Sequence, residues 1–154
     1  MEILPHLWLS DFYNYDDAKF LKEKKIKIII NVSKNKNFSK NNNRLDIEEI
    51  RIPIEYDEEE TSVEEMNRIL YEYIYDTTDY MHEKIMSNKN ILLIGYQTRQ
   101  DVDVFMVGYF IRYGKIDINE AIKYLRSKKD NVMMPKCLFY PCLNKFYYEL
   151  NKNY

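Results

Sequence analysis

The sequence predicts an α/β protein in which a central, mostly parallel sheet is flanked by helices. Short apolar runs typical of buried strands occur at residues 26–32, 47–54 and 91–94. Amphipathic stretches with helical spacing separate and follow these runs, which is the alternation expected of an α/β fold. The chain has 154 residues, a length that suits one hydrophobic core. We therefore expect a single domain over residues 1–154.

The first 44 residues contain alternating strand and helix signals. Residues 3–10 predict an opening strand, since apolar residues alternate with others around Leu7 and Leu9. A helix is expected over residues 15–24, with Asp16 and Asp17 at its positive N-terminal end. Its inward side chains would be those of Ala18, Phe20 and Leu21. The β-branched run at 26–32 predicts a buried strand, and residues 33–44, rich in Asn, Lys and Ser, predict a solvated loop.

The middle of the chain predicts a long helix followed by the central strand. A strand at 47–54 precedes an acidic loop at 55–60. Ser62 and Glu65 have the spacing of a capping box, so the helix should begin there and run to about Met86. Residues at helical spacing should form its core-facing stripe: Met66, Ile69, Leu70, Tyr73, Ile74, Thr77 and Met81. The apolar run at 91–94 predicts the central strand.

Three further helices are expected after the central strand. The first carries the apolar residues between Val104 and Ile111. The second begins near Asp117 or Asn119 and should direct Ala121, Ile122 and Leu125 inward. The last follows a turn at 134–135 and carries apolar residues at helical spacing: Leu138, Leu143, Phe146 and Leu150.

Composition and charge exclude several classes of function. The chain has 23 Lys plus Arg against 25 Asp plus Glu and a net charge of −2, which argues against a general nucleic-acid or anionic-membrane binder. It has no apolar run of about 18 residues, so we expect no membrane span. The N-terminus lacks the pattern of a secretory signal. We therefore expect an intracellular protein with reduced thiols at Cys137 and Cys142.

Two further features of the composition bear on cofactors and source. His6 and His82 lack acidic or Cys partners at ligand spacing, so no metal or cofactor is expected. The frequent Tyr, Asn, Lys and Ile residues are typical of an AT-rich genome and hint at a virus or an AT-rich microbe. A viral source would place the protein in the cytoplasm of the host cell.

Five short motifs, in order along the chain, carry a resemblance to a known family. They are Ile3-Leu4-Pro5 with Leu7-Trp8-Leu9, Ile29-Ile30-Asn31-Val32-Ser33, Ile52-Pro53-Ile54, Gly108-Tyr109-Phe110 with Asn119-Glu120-Ala121, and Met134-Pro135 with Phe139 and Leu143. Together they resemble the dual-specificity phosphatases of the cysteine-based protein tyrosine phosphatase superfamily. The resemblance covers nearly the whole chain, and it implies that family's single-domain sandwich.

The resemblance implies where the catalytic loop of that family would lie. The family has a His, a nucleophilic Cys, five residues and an Arg between its central strand and the next helix. The thiolate attacks phosphorus, and the Arg and loop amides hold the phosphoryl oxygens. An ungapped match places Ile94 at the His, Gly95 at the nucleophile and Asp101 at the Arg. Thr98 then falls at the loop glycine, and Gln100 replaces a flanking Ser or Thr.

Two alternatives remain open around this loop. The general acid of the family matches Asp57 if one residue is inserted after Ile54, whereas the ungapped match is Tyr56. Arg99 could take the place of the phosphate-binding arginine if two loop residues were deleted, but that match supplies no thiol. The pseudophosphatases that interact with phosphorylated serine, threonine or tyrosine also have Gly for Cys, yet they keep the arginine.

Asp101 is the most informative substitution in the loop. We expect it in the first turn of a helix, where a carboxylate interacts favourably with the helix dipole and completes a Thr98-x-x-Asp101 capping box. The chain would then carry its own anion where the family holds a phosphate. On one interpretation the loop is only a capped helix start. On the other, the surrounding groove still binds a partner through Tyr96, Gln97, Thr98, Arg99 and Gln100.

The sequence therefore predicts a catalytically inactive, phosphatase-like protein that binds or regulates a protein partner. One alternative is a reader of phosphoproteins that competes with active phosphatases. A second is a phosphatase with a non-standard nucleophile. The family includes monomers and dimers, so the resemblance implies no particular oligomeric state.

Overall fold

A computed structural model of the protein describes residues 1–11, 17–34, 46–95, 100–134 and 136–152. The described residues form strands and helices in the following order: β1 (Glu2–Leu4), β2 (Leu7–Asp11), α1 (Ala18–Glu23), β3 (Ile26–Val32), β4 (Glu48–Ile52), α2 (Val63–Met86), β5 (Asn90–Gly95), α3 (Gln100–Gly114), α4 (Ile118–Arg126) and α5 (Tyr140–Asn151).

The strands form one sheet in the order β1-β2-β5-β3-β4. Strand β1 pairs antiparallel with β2, and every other neighbouring pair is parallel. Strand β5 is central, as its apolar run predicts, and Leu93 lies opposite Leu9 on one side and Ile30 on the other. The side chains of residues 91–94 are fully buried, as expected for a parallel strand covered on both faces.

The predicted opening strand over residues 3–10 is wrong in one respect, because the segment forms two strands. The chain turns between β1 and β2, where His6 has φ of 75°. A positive φ is uncommon for a residue with a Cβ, and histidine is among the residues that adopt it more often. The turn brings the ammonium group of Met1 within 3.0 Å of the Leu9 carbonyl oxygen, to which it donates.

Two other element boundaries differ from the prediction. Helix α1 begins at Ala18, and the carboxylate of Asp17 caps it by accepting the N–H of Phe20 at 3.1 Å. Ala18 itself is exposed rather than inward-facing. Strand β4 ends at Ile52 because Pro53 has no N–H to donate to a neighbouring strand. The predicted loop at 33–44 lies mostly outside the described residues.

Contacts within the chain cluster into two compact units. The first comprises residues 1–55 and 83–99 and contains the sheet and α1. On one face of its sheet lies a buried cluster, against which Trp8 and Phe20 pack: Leu21, Ile26, Ile29, Ile47, Leu92 and Ile94. The rings of Trp8 and Phe20 meet edge to face with centroids 6.0 Å apart.

The second unit comprises residues 56–82 and 100–154 and contains most of α2 together with α3, α4 and α5. The Ser62 hydroxyl caps α2 by accepting the N–H of Glu65 at 3.1 Å, as the capping-box pattern predicts. The predicted stripe of α2 is buried except at Ile69 and Tyr73, which are half-buried. Helix α3 is buried at every position from Asp101 to Ile111. The predicted single-domain organisation stays a prediction.

Among the described residues, none of the helices combines the length and the apolar character needed to cross a lipid bilayer.

Gly108 of α3 packs closely against Ile74 of α2. A Cβ added at Gly108 would lie 2.8 Å from Cδ1 and 3.0 Å from Cγ1 of Ile74, a fully buried side chain. We expect Gly108→Ala to lower the free energy of unfolding by about 1 kcal/mol or more, because overpacking exceeds the gain in helix propensity.

The matched control is Gly114→Ala at the end of the same helix. There the nearest atom to an added Cβ is 3.8 Å away, so only the propensity gain of up to about 1 kcal/mol applies. Urea unfolding of both variants measures the difference. Equal stabilisation by the two substitutions would contradict the tight packing at Gly108.

Candidate functional site

The strand-to-helix junction predicted to hold the degenerate phosphate loop lies between β5 and α3. Gly95 is the last residue of β5 and pairs in register with Val32 of β3. Helix α3 begins at Gln100. The loop residues Tyr96, Gln97, Thr98 and Arg99 lie outside the described residues, so their roles stay predictions. On either side of this loop in the sequence, the structure describes Gly95 at the end of β5 and the first turn of α3.

Asp101 lies in the first turn of α3, as predicted, and its side chain is buried at 1% exposure. Its Oδ2 accepts the backbone N–H of Tyr56 at 3.2 Å, and its Oδ1 accepts the N–H of Val102 at 3.0 Å. Hydrogen bonds to an ionised acceptor are stronger than neutral ones, and the helix N-terminus adds a favourable field. The start of α3 thus holds a buried carboxylate whose oxygens accept bonds from the protein itself.

Tyr56 and Asp57, the two candidates for the vestigial general acid, have different surroundings. Tyr56 is half-buried, and its ring meets Phe139 edge to face with centroids 5.4 Å apart. Asp57 is exposed, and its Oδ1 accepts the N–H of Glu59 at 3.0 Å. The carboxylate of Asp57 therefore shapes an exposed turn, whereas Tyr56 is held by Asp101 and Phe139. Which of them matches the family's acid stays a prediction.

Gln100, the first residue of α3, uses both ends of its side-chain amide. Its Nε2 donates to the carbonyl oxygens of Met134 at 3.0 Å and Lys136 at 2.7 Å, and its Oε1 accepts the N–H of Leu138 at 3.0 Å. One side chain thereby ties the segment before α5 to the start of α3.

Asp103 is a second buried carboxylate at the start of α3, with 1% exposure. Its Oδ1 lies 3.2 Å from Nζ of Lys129, and its Oδ2 accepts the N–H of Met133 at 3.1 Å. Burial raises the pKa of this carboxyl, and the charge of Lys129 opposes that rise. The sequence reasoning missed Asp103 and the bridging role of Gln100. A useful signal was present, since two carboxylates in an otherwise apolar helix need buried partners.

The two thiols are free and differ in burial. Cys142 lies in α5 with 2% exposure, and burial raises its pKa to about 12. Cys137 precedes α5 and is half-buried. Burial raises its pKa as well, although the N–H of Phe139 acts in the opposite direction. A thiol must ionise to act as a nucleophile, so neither environment activates sulfur.

The two histidines have aromatic or amide neighbours. His6 lies with Nδ1 2.7 Å from Oδ1 of Asn90, and the ring of His82 stacks on Tyr113 with centroids 3.7 Å apart. Within the described ranges, no group of three or more His, Cys, Asp or Glu side chains has the arrangement of a metal site.

The chain is similar in structure to several solved phosphatase-like proteins, at low sequence identity. Human DUSP28 matches with a TM-score of 0.80 and 16% identity over 99% of each chain. A mouse putative dual specificity phosphatase, solved with zinc tungstate, matches with a TM-score of 0.80 and 16% identity over 99% of this chain and 88% of that one. The human tyrosine phosphatase-like serine/threonine/tyrosine-interacting protein matches with a TM-score of 0.76 and 19% identity over 94% and 93%.

These likenesses define the fold class. The chain has the α/β fold of the protein tyrosine phosphatase superfamily, as the sequence predicts, and its described strands form a mostly parallel five-stranded sheet. More particularly, the fold is that of the dual-specificity phosphatases. No protein-family model and no curated protein sequence matches the chain.

Asp101→Ala tests the importance of the buried carboxylate. We expect a loss of about 2 kcal/mol in the free energy of unfolding, because the N–H of Tyr56 loses a charged acceptor in a partly buried place. The control is Asp57→Ala, which removes one hydrogen bond from an exposed turn and should cost about 0.5 kcal/mol. Urea unfolding of both variants makes the measurement. Equal losses would show that Asp101 is no more important than a surface carboxylate.

Thiol reactivity tests the environments of the two cysteines. At pH 8 we expect Cys142 in the folded protein to react with a disulfide reagent at least about tenfold more slowly than Cys137, because it is buried and un-ionised. The single variants Cys137→Ser and Cys142→Ser assign each reaction rate to one thiol. In urea, both thiols should react rapidly with the reagent. A native Cys142 that reacts as fast as a free thiol would contradict the pKa direction given above.

Proposed function

We propose that this chain is a catalytically inactive, phosphatase-like protein that acts by binding or regulating a protein partner, with its phosphate pocket lost. The observation that carries the proposal is the buried Asp101 carboxylate at the start of α3, which accepts the N–H groups of Tyr56 and Val102. By the resemblance described above, this position holds a phosphate-binding arginine in dual-specificity phosphatases.

Electrostatics explain why the substitution of arginine by aspartate opposes phosphate binding. A phosphate oxygen about 4 Å from the Asp101 carboxylate would meet a repulsion of about 4 kcal/mol in surroundings typical of a protein surface. A hydrogen bond to a charged group contributes only about 1.5–3 kcal/mol. An aspartate at position 101 also cannot supply the bidentate donor that an arginine provides. One side-chain change thus removes an attraction and adds a repulsion.

The nucleophile is the second element that supports loss of catalysis. Gly95 occupies the position that matches the catalytic cysteine, and it has no side chain to attack phosphorus. Cys142 is buried in α5, and Cys137 lies before that helix with a raised pKa. The described residues therefore offer no activated thiol for a covalent phosphoenzyme step. A function in binding uses the fold without requiring this chemistry.

Thermal unfolding in the presence of oxyanions tests the loss of the phosphate pocket. Phosphate, sulfate, tungstate and a phosphotyrosine analogue should leave the unfolding temperature unchanged. A ligand at 100 times its dissociation constant would add about 2.7 kcal/mol, which such an experiment detects readily. Saturable stabilisation would contradict a lost pocket. It would favour the alternative of a phosphoprotein reader, with Arg99 as the first residue to replace.

Restoring the two lost groups tests the loss of catalysis. Wild-type protein should show no turnover of an aryl phosphate, whereas Gly95→Cys combined with Asp101→Arg should gain measurable turnover. Gly95→Cys alone is the control and should stay far less active, because Asp101 still repels the substrate. Circular dichroism confirms that each variant is folded. If the wild type turns over the aryl phosphate and substitutions at Gly95 and Asp101 leave that turnover intact, the protein is an enzyme with another nucleophile.

A further inference from the structure

Exposed lysines and exposed large apolar side chains occur together in α4, in the segment that follows it and at the first residue of α5. We call this set the basic patch and define it by six residues: Lys123, Tyr124, Lys128, Met134, Lys136 and Tyr140. We propose that the basic patch docks a carboxylate-rich segment of a protein partner. This inference rests on the proposed function, because it names the chemistry of the partner.

The charge of this region departs from that of the whole chain. Residues 123–136 contain five basic side chains and one acidic side chain, Asp130, in a chain whose net charge is −2. Two of the five cations are used internally. Lys129 pairs with the buried Asp103, and Arg126 donates to the carbonyl oxygen of Val132 at 2.8 Å.

The other three cations are the lysines of the basic patch. Lys123, Lys128 and Lys136 are exposed, and none of them forms a salt bridge with a residue in the described part of the chain. Three unneutralised ammonium groups on one segment create a local positive potential that attracts carboxylates.

Apolar side chains accompany these cations. Met134 is 46% exposed, Tyr140 38% and Tyr124 37%, and Nζ of Lys128 lies 6.0 Å from the ring centre of Tyr124. Methionine adapts its shape to a partner, and tyrosine combines an apolar ring with a hydrogen-bonding hydroxyl, so both are common in protein interfaces. The patch can therefore hold apolar side chains as well as carboxylates.

Internal hydrogen bonds hold the backbone of this segment in place. The Gln100 amide bonds the carbonyl oxygens of Met134 and Lys136, and Asp103 accepts the N–H of Met133. A segment that is ordered before binding loses less conformational entropy when a partner docks. The same bonds fix Met134 and Lys136 beside the start of α3, where the degenerate loop ends.

The chemistry of the patch favours an acidic protein segment over a nucleic acid. A nucleic acid is a dense polyanion. This chain has a net negative charge and an isoelectric point near 5.8, so the surface outside the patch would repel a nucleic acid bound there. A peptide can present a few carboxylates next to an aliphatic or aromatic side chain, which matches three lysines beside Met134 and the two tyrosines.

Selection from a phage-displayed random peptide library on the folded protein tests the proposal. We expect the enriched peptides to be rich in Asp and Glu around an apolar residue. Their affinity should fall about tenfold or more with Lys123→Glu, Lys128→Glu and Lys136→Glu combined. The matched control is Lys22→Glu, Lys27→Glu and Lys89→Glu, which makes the same charge change at exposed lysines of the first unit. The control should alter affinity by no more than about twofold.

A second variant separates docking from unspecific attraction of charges. Tyr124→Ser combined with Met134→Ser keeps every charge and removes exposed apolar surface, and it should weaken the selected peptides about tenfold. If this variant binds like the wild type while charge reversal abolishes binding, the patch is only an electrostatic surface and the docking proposal is wrong.

Several other outcomes would also overturn the proposal. The selection would contradict it if no peptides were enriched or if the enriched peptides were not acidic. Peptide binding that survives reversal of the three lysines would also contradict it, as would tighter binding of a single-stranded DNA oligonucleotide. A further contradicting result is salt-sensitive self-association of the protein that reversal of the lysines removes. The last result would assign the patch to the acidic turn at residues 57–60 of a second copy. The oxyanion and turnover experiments do not involve the patch, so they decide the loss of catalysis separately.

Discussion

The start of α3 is held in place by the hydrogen bonds that the buried carboxylate of Asp101 accepts. The carboxylate accepts the N–H of Tyr56, a residue 45 positions earlier in the chain, and so joins the acidic segment to the helix. Gln100 and Asp103, its neighbours on the same turn, bind the segments at 134–138 and 129–133. Three polar side chains within four residues thus each hold a different segment, and their hydrogen-bonding groups are satisfied within the protein.

These hydrogen bonds make the polar side chains at the start of α3 part of what stabilises the second unit. In a phosphatase, the groups at the end of the phosphate loop must be available to a ligand, and groups held ready for a ligand reduce stability. Here the first turn of α3 contributes to the folded state, since an unpaired group in a buried place costs about 1–3 kcal/mol. Asp101→Arg therefore removes a structural contact, and this effect on stability must be measured separately from any gain in phosphate binding.

Features that depend on local sequence could be predicted, and features that depend on distant partners could not. The cap at Ser62 and the central position of β5 follow from neighbouring residues or from apolar patterning. The turn at His6 was missed because no residue pattern announces a positive φ at histidine. Gln100 was placed in the site only through resemblance, because its partners lie 34 to 38 positions away. The residue Asp101 was identified, but its bond to Tyr56 was not.

The first turn of α3 is also connected to the surface that we propose for a partner. Gln100 donates to the carbonyl oxygens of Met134 and Lys136, so the side chain that completes the helix start also positions two members of the basic patch. Asp103 takes Lys129 out of that patch by pairing with it in a buried place. Asp103 therefore removes one cation, Lys129, from those that a partner could contact. A partner surface beside the start of α3 is physically compatible with this first turn, because both depend on the same set of internal hydrogen bonds.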